Sequence, residues 1–423
     1  MAYLRLATAY YNVNEASLAS ETAGKAYRLR ERVSELERLH IDSVYYHING
    51  DLEKAAKVYE LWLQTYPREY APYQNLGLIH TELGQYEKAL TEFREVRRLE
   101  PKRVSSYSNL AAVYRMLNRP EEAGEVLEQA QALKLNAPEL GSFLYDLAFL
   151  RGDVGGMERQ VKAAMGQPGT EDELLATQAD TEAYHGRLRK SREFTHRAIE
   201  SARRNGDEET AAGYEVVAAL REGEFGNAEL GRQEAGMAMA MAPGLQVKTL
   251  AALTLARATE RKRALALADD LNRKYPSATL LQDYWLPTVR AAVELDRHNP
   301  AIAVDLLKPA EPYELGTPST PTNNVYPYPV YVRGEAYLLA REGSRAAAEF
   351  QKILDHPGVV VNSPLGALAH LGMGRAYALD AATDPAARDK ARTAYQDFLT
   401  LWKDADPDIP IYKQAKAEYA RLR

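Results

Sequence analysis

An internal repeat of about 34 residues is the dominant feature of this 423-residue sequence. The segment YAPYQNLGLIHTELGQYEKALTEF begins at residue 70, and VSSYSNLAAVYRMLNRPEEAGEVL begins at residue 104. The two align without a gap, so that Tyr73 falls on Tyr107 and Ala89 on Ala123. A unit this short cannot bury its apolar residues alone, and neighbouring units must stack to form a core. The repeat therefore restricts the fold to an extended array.

The spacing of small and apolar residues within the unit predicts two antiparallel helices. One stripe contains Tyr73, Leu76, Gly77 and His80, and the second contains Ala89, Phe93 and Val96. The small residues Gly77 and Ala89 let the helices approach closely, while Phe93 fills the space beside them. Gly84 suits the turn between the helices. With Pro67 and Pro101 at equivalent positions of successive units, this pattern resembles the tetratricopeptide repeat (TPR).

Extending the register in both directions predicts about eleven helix pairs. Their first helices begin just before residue 1 and then near 36, 70, 104, 141, 172, 209, 245, 282, 327 and 367. The predicted fold class is therefore all-α, a TPR superhelical solenoid with a C-terminal capping helix. The predicted divisions are a TPR array of about nine pairs (1–308), a Pro/Tyr-rich insertion loop (309–329), the last two pairs (330–410) and the capping helix (411–423).

Composition excludes several classes of function. Lys and Arg number 53 and Asp and Glu 59, giving a formal net charge of −6. This balance argues against nucleic acid as a partner of this chain. The absence of cysteine excludes disulfides, zinc–thiolate sites and cysteine nucleophiles. No apolar run is long enough to predict a membrane span.

The C-terminal third resembles a narrower family. The phrases LLKPAEPYELG (306–316), YPVYVRGEAYL (328–338) and ARTAYQDFLTLWKDADPDIPIYKQAKAEYARL (391–422) resemble the C-terminal TPR region of acidobacterial serine/threonine protein kinases. In that family a kinase domain, often followed by a membrane segment, precedes such an array. Related arrays also follow winged-helix DNA-binding domains.

No kinase motif occurs in this chain: neither a Gly-rich loop opening a strand, nor a VAIK-like lysine, nor HRD or DFG. We therefore expect no enzyme activity, no cofactor and no catalytic residue here. The eight histidines show no HExxH spacing, so no metal site is expected either. An enzyme with an unrecognised site is the alternative from another class.

The resemblance implies a protein-interaction or sensory module of a bacterial signalling protein, forming the non-catalytic C-terminal region of a kinase. It would bind a protein or peptide partner on its concave face, and it could self-associate. The alternatives are the effector or oligomerisation region of a TPR-bearing transcription regulator, or a free-standing adaptor. The chain begins inside a helix, which indicates a fragment of a longer, membrane-anchored protein, cytoplasmic or extracytoplasmic.

TPR arrays present fixed offsets of their inner helices to the concave face. The partner-binding residues predicted from those offsets are Gln74, Asn75, Glu82, Ser108, Asn109, Arg115, Asp180, Tyr184, Tyr214, Arg221, Arg257, Arg290, Tyr331, Glu335 and Arg375. Asn75 and Asn109 can each hydrogen-bond both polar edges of an extended peptide, although either can equally be an ordinary surface residue. A clamp for a partner's C-terminal carboxylate is not expected, because the flanking offsets lack the required cations.

The five arginines of this set suggest a ladder for an acidic or phosphorylated partner. Acidic residues at equivalent offsets, among them Asp180 and Glu335, oppose that interpretation. In the insertion loop, Tyr313, Tyr326 and Tyr328 could plug the groove or line a ligand pocket, the alternative being a plain surface insertion.

Overall fold

The structure, a computed structural model, describes residues 1–12, 15–135, 140–318, 327–381 and 384–422, and all its regular elements are helices. In chain order they are α1 Ala2–Asn12, α2 Ala16–Arg28, α3 Glu35–Ile48, α4 Leu52–Thr65, α5 Tyr70–Glu82, α6 Tyr86–Leu99, α7 Val104–Met116, α8 Pro120–Ala132, α9 Leu140–Leu150, α10 Val154–Ala164, α11 Glu171–Tyr184, α12 Leu188–Arg204, α13 Glu208–Glu224, α14 Ala228–Met241, α15 Leu245–Arg257, α16 Arg261–Lys274, α17 Leu286–Asp296, α18 Pro300–Leu306, α19 Tyr328–Leu339, α20 Gly343–Leu354, α21 Pro357–Val360, α22 Pro364–Ala378, α23 Pro385–Leu401 and α24 Pro410–Ala420.

Local sequence explains where these helices start and how the pairs turn. Ser34 caps α3 in a capping box with Glu37, and the Asp51 side chain accepts a hydrogen bond from the third residue of its helix, Lys54. Gly84, between α5 and α6, has a φ of +74°, a conformation that other residues rarely adopt. Such turns reverse the chain within a few residues and make each pair antiparallel.

The predicted fold class is confirmed: within the described residues eleven helix pairs stack from α1/α2 to α22/α23, and their first helices begin within a few residues of the predicted positions. Two local features were not predicted. A wider helical turn at Leu281–Trp285 precedes α17, and the short helix α21 follows α20, beginning at Pro357. The domain boundaries stay predictions, and residues 319–326 of the predicted insertion loop lie outside the described residues.

The array curls back on itself, so that its second turn contacts its first. The backbone amide of Thr279, just before the ninth pair, donates to the Gly50 carbonyl in the turn of the second pair at 2.9 Å. The Thr317 amide, before the tenth pair, donates to the carbonyl of Glu82 in the third pair at 3.1 Å. In both contacts, the turn of one helix pair meets the segment that leads into another pair. That other pair lies seven pairs further along the chain.

The fourth pair likewise contacts the segment that leads into the eleventh pair, again seven pairs further along the chain. The Asn118 side chain, in the turn between α7 and α8, donates to the Asp355 carbonyl at 2.8 Å and accepts from the Gly358 amide at 3.0 Å. The Asn362 amide group donates to the Thr177 carbonyl of α11 at 2.8 Å. The groove expected along a TPR solenoid is therefore closed over much of its length by the chain itself.

The capping helix α24 completes this closure. Its buried face carries Tyr412, Ala415 and Tyr419. Before it, the Asp406 amide donates to the Gly186 carbonyl at 3.0 Å, and within it the Ile411 amide donates to the Phe225 carbonyl at 3.2 Å. The C-terminal helix thus seals the last pair and also bridges to the sixth and seventh.

Candidate functional site

All fifteen residues predicted to bind a partner lie on the first helices of their pairs, from α5 to α22. Their surroundings differ along the array. Most of the charged ones are paired inside the chain, whereas the amides of α5 and α7 are half-buried at the surface. These environments were not distinguishable from the repeat offsets.

Arg115 is only 5% exposed and lies where α21 meets α7. Its guanidinium donates to the Gly358 carbonyl and lies 3.6 Å from the Asp146 carboxylate of α9. Burial raises the pKa of Asp146 to about 6, against the opposing effect of Arg115. Arg115 therefore holds two turns of the superhelix together.

Arg221 is likewise enclosed. It pairs with the Asp180 carboxylate, and it donates to the Ser191 hydroxyl of α12 at 2.6 Å. Burial raises the pKa of Asp180, although Arg221 opposes this. Tyr214, on the same helix as Arg221, donates its hydroxyl to the Asp172 carboxylate at 2.9 Å.

Arg257 links three first helices. Its guanidinium donates to Glu224 of α13 and to Glu335 of α19, each at 2.8 Å, and lies 5.9 Å from the centre of the Tyr331 ring. Burial, opposed by Arg257 and reinforced by Glu335, raises the pKa of Glu224 to about 7. Three of the predicted residues thus meet in one buried ionic cluster.

The two remaining arginines also have partners within the chain. Arg290 lies 3.4 Å from the Asp269 carboxylate near the surface, and Arg375 donates to both oxygens of Glu418 at 3.0 and 3.2 Å. Each of the five guanidinium groups is therefore held by a carboxylate of this chain. The structure does not bring them together as a free basic ladder.

In α5 and α7, Glu82 and Arg115 near the ends of the helices are ion-paired. The first halves of the same two helices differ, because the inner side chains there are uncharged. Gln74, Asn75, Ser105 and Asn109 are half-buried there and together form what we call the α5–α7 polar surface. The Gln74 side-chain oxygen and the Ser105 hydroxyl oxygen are buried beneath this surface and have no hydrogen-bond partner. Asn75 donates to the Ala71 carbonyl of its own helix at 3.0 Å, and the neighbouring Ser108 is buried.

An inter-turn cavity of about 150 Å³ lies between the first pairs and the start of the second turn. Its walls come from α1, the α3–α4 turn, the end of α5, the beginning of α15 and residues 278–285. They are mainly apolar and include Ile48, Leu52, Leu245, Leu250, Leu281 and Trp285. The cavity exists because the two turns touch at Gly50 and Thr279 but separate beside that contact.

Three ionisable side chains line this cavity: Tyr11, His47 and Glu82. A His47 ring nitrogen lies 3.4 Å from a Glu82 carboxylate oxygen. Although 38% of Tyr11 is exposed, burial of its hydroxyl end and then the nearby Glu82 carboxylate raise the pKa of Tyr11. The cavity is therefore apolar with one acidic end.

Of the residues that line the cavity, Glu82 alone belongs to the set predicted from the sequence to bind a partner. His47 was identifiable, because it is the thirteenth residue of α3 as Glu82 is of α5. Trp285 and Leu281 carried no such signal, since they belong to the unexpected helical turn before α17.

The predicted tyrosines of the insertion loop separate. Tyr328 is buried at the start of α19, Tyr313 lies 3.4 Å from the Glu53 carboxylate, and Tyr326 is outside the described residues. Between them, Glu314 binds Arg333 and Lys352 of the tenth pair. The Leu315 carbonyl accepts from the Tyr86 hydroxyl and the Thr317 amide donates to Glu82, which anchors this segment against the third pair. Tyr184, of the predicted partner set, packs edge-on against Phe149 with the ring centres 5.2 Å apart.

In the described ranges, no three His, Asp or Glu side chains cluster as metal ligands would. None of the helices in that part of the chain combines the length and apolarity needed to cross a membrane.

Comparison with known proteins agrees with this geometry. Residues 68–136 match the tetratricopeptide repeat family model, so the chain contains a TPR region within its helical solenoid. No curated protein matches the chain in sequence.

Solved structures provide distant likenesses. Yeast Tom70 is 12% identical with a TM-score of 0.37, covering 94% of this chain and 96% of its own. The human IFIT1 dimer with PPP-AAAA is 17% identical with a TM-score of 0.45, covering 88% and 85%. A tetratricopeptide repeat protein from Parabacteroides merdae is 14% identical with a TM-score of 0.27, covering 81% and 98%.

Proposed function

We propose that this chain is a non-catalytic protein-interaction module that binds an extended segment of a partner protein across the α5–α7 polar surface. The surface lies within the residues that match the TPR model. It lies in the first halves of α5 and α7, where the predicted side chains are uncharged, whereas Arg115 near the end of α7 is ion-paired.

The observation that carries this proposal is the unsatisfied polarity of α5 and α7. The Gln74 oxygen and the Ser105 hydroxyl lack partners, and an unsatisfied polar group of this kind costs about 1–3 kcal/mol. A peptide backbone offers both donors and acceptors, and rotation of the Gln74 amide would let it accept from a peptide N–H. Asn75 and Asn109 occupy equivalent positions of successive repeats and place the same amide on neighbouring helices.

The first experiment traps the partner in cells. A photoreactive amino acid at Asn109 is compared with the same group at Glu128, an exposed residue on the outer helix α8. We expect a protein that cross-links from position 109 and not from position 128. Identical cross-linked products at both positions would reject the surface.

The second experiment measures affinity for that trapped partner by calorimetry. Asn75→Ala with Asn109→Ala should weaken binding by about 2 kcal/mol, because two side chains lose hydrogen bonds. The matched control, Glu125→Ala with Glu128→Ala, changes two exposed residues of the same repeat and should leave affinity unchanged. Equal affinity for both double variants would contradict the proposal.

We further propose that the module is the C-terminal region of a bacterial serine/threonine protein kinase, where it recruits partners or self-associates. The support is the resemblance of residues 306–316, 328–338 and 391–422 to that family. An antibody against this chain distinguishes the possibilities in extracts of the native host. A membrane-bound band far heavier than 47.2 kDa is expected, whereas a soluble band near 47.2 kDa would indicate a free-standing adaptor.

A further inference from the structure

We propose that the inter-turn cavity is a binding site for a small organic ammonium ion with an apolar body, such as an arylalkylamine. This site is separate from the α5–α7 polar surface, and its occupancy does not depend on the proposed function. The cavity has a suitable volume, an asymmetric lining and a position between the two turns.

Volume and lining define the apolar part of the ligand. An apolar cavity of about 150 Å³ accommodates a benzene-sized group. Leu52, Leu250 and Leu281 are almost fully buried around it, and Trp285 contributes an aromatic wall. These side chains are held by the core of both turns, so the cavity is formed before any ligand enters.

Charge defines the other part. Glu82 supplies a carboxylate at one end, and its side chain is 19% exposed, so it is partly shielded from water. Among the described lining residues no Lys or Arg is present, and His47 is the basic group nearest to this carboxylate. A ligand ammonium placed there would form a charge-assisted hydrogen bond, and the aromatic ring of Tyr11 at the rim also favours a cation. An anionic ligand would be repelled by this carboxylate, and among the described lining residues only the His47 imidazole could offset that repulsion.

Position explains why the site is specific to this fold. Ile48 and Leu52 belong to the second pair, whereas Leu245 and Leu281 come from the eighth pair and the connection after it. A ligand seated among them contacts both turns at once. It therefore binds the closed superhelix and not a separated one.

The test uses three probes that share one ring and differ in charge: benzylammonium, benzyl alcohol and benzoate. Ligand-observed NMR titrations of the full chain at neutral pH compare their affinities. Benzylammonium should bind about tenfold more tightly than benzyl alcohol, and benzoate should bind more weakly than either. Equal affinity for the three, tighter binding of benzoate or no binding of benzylammonium would overturn the proposal.

Two variants separate the chemistry from the location. Glu82→Gln keeps the shape of the side chain and should reduce benzylammonium binding to the level of benzyl alcohol. Leu245→Trp enlarges a partly exposed wall residue and should abolish binding of both probes. Leu61→Trp, at a 51% exposed position on α4, is the control and should bind like the wild type.

Circular dichroism confirms that each variant is folded. Unchanged benzylammonium affinity in Glu82→Gln would reject the acidic end as the recognition element. Unchanged affinity in Leu245→Trp would reject the cavity itself, and this second variant keeps the proposal testable if Glu82→Gln does not fold.

Discussion

At the scale of single residues, this protein places several carboxylates out of contact with water. Asp180 is 2% exposed and Glu224 is 5% exposed, and each is paired with an arginine. Burying a charge costs several kcal/mol, and the pairing offsets that cost only while both partners are present. These residues therefore resist substitution one at a time, whatever they do for binding.

Glu234 differs from these two residues, because it is half-buried beside other acids. Its Oε2 oxygen has no hydrogen-bond partner. Burial, followed by the Glu222 and Glu215 carboxylates, raises its pKa to about 8. The folded state therefore favours protonated Glu234, and the resulting stabilisation is present below the unfolded-state pKa of 4.5 and is lost as pH rises through about 8.

We predict that Glu234→Gln reduces this loss of folding stability with rising pH. The free energy of unfolding should change little below about pH 4.5 and should increase by about 2 kcal/mol at alkaline pH, because the uncharged amide replaces a carboxylate that resists ionisation. Denaturant unfolding followed by circular dichroism across the pH range measures it. The exposed Glu128→Gln serves as control, and parallel pH profiles for wild type and Glu234→Gln would show that the prediction is wrong.

At the scale of elements, the helix pair depends on contacts that follow directly from the repeat. A Cβ atom added at Gly77 would lie 2.6 Å from the Phe93 ring. Phe93 is 1% exposed and cannot move aside without disturbing the pair. The close approach predicted from the sequence therefore depends on the absence of a side chain at Gly77.

Gly77→Ala should accordingly destabilise the protein by about 1–3 kcal/mol through overpacking. Gly236 lies within α14, and an added Cβ atom would meet nothing within 4 Å. Gly236→Ala should therefore have no effect or stabilise the protein by up to about 1 kcal/mol, because alanine favours the helix. Chemical denaturation compares the two variants. A loss of stability at Gly236 equal to that at Gly77 would mean that the Phe93 contact is not the cause.

Sequence reasoning succeeded where structure is local. Gly77, Ala89 and Phe93 lie within one repeat unit, and their roles follow from helical periodicity alone. The charged residues were placed on the correct helices, and the set included two of the partners, Asp180 and Glu335, although the pairings were not predicted. Two further partners, Asp146 and Glu224, come from neighbouring helices outside the chosen offsets. The cavity was missed because its walls combine elements from the second and eighth pairs, which are so far apart in the chain that the repeat pattern says nothing about their contact.

At the scale of the whole molecule, the contact between turns depends on a second glycine. A Cβ atom on Gly358 would fall 1.7 Å from the Arg115 carbonyl oxygen, so α21 could not remain against α7. The Gly358 carbonyl also accepts from the Arg115 side chain. One methyl group at this position therefore forces the two turns apart locally.

Gly358→Ala should destabilise the protein by about 2–3 kcal/mol and increase its radius of gyration. Hydrogen exchange should accelerate at residues 115–119 and 355–361, while the helix pairs themselves keep their protection. Small-angle scattering and exchange mass spectrometry provide the two measurements, with Gly236→Ala as the matched control. An unchanged radius together with unchanged exchange would show that the turns do not depend on this contact.

The closure between turns also has a consequence for synthesis on the ribosome. The Leu52 amide, which donates to the Gly50 carbonyl, also donates to the hydroxyl of Thr279, 227 residues later in the chain. At about 5–20 residues per second, that separation takes about 10–45 s to translate. During this period the surface of the first pairs that the second turn will cover stays exposed to solvent. The nascent chain must therefore either form a stable short stack of these pairs or bind a chaperone until the second turn is made.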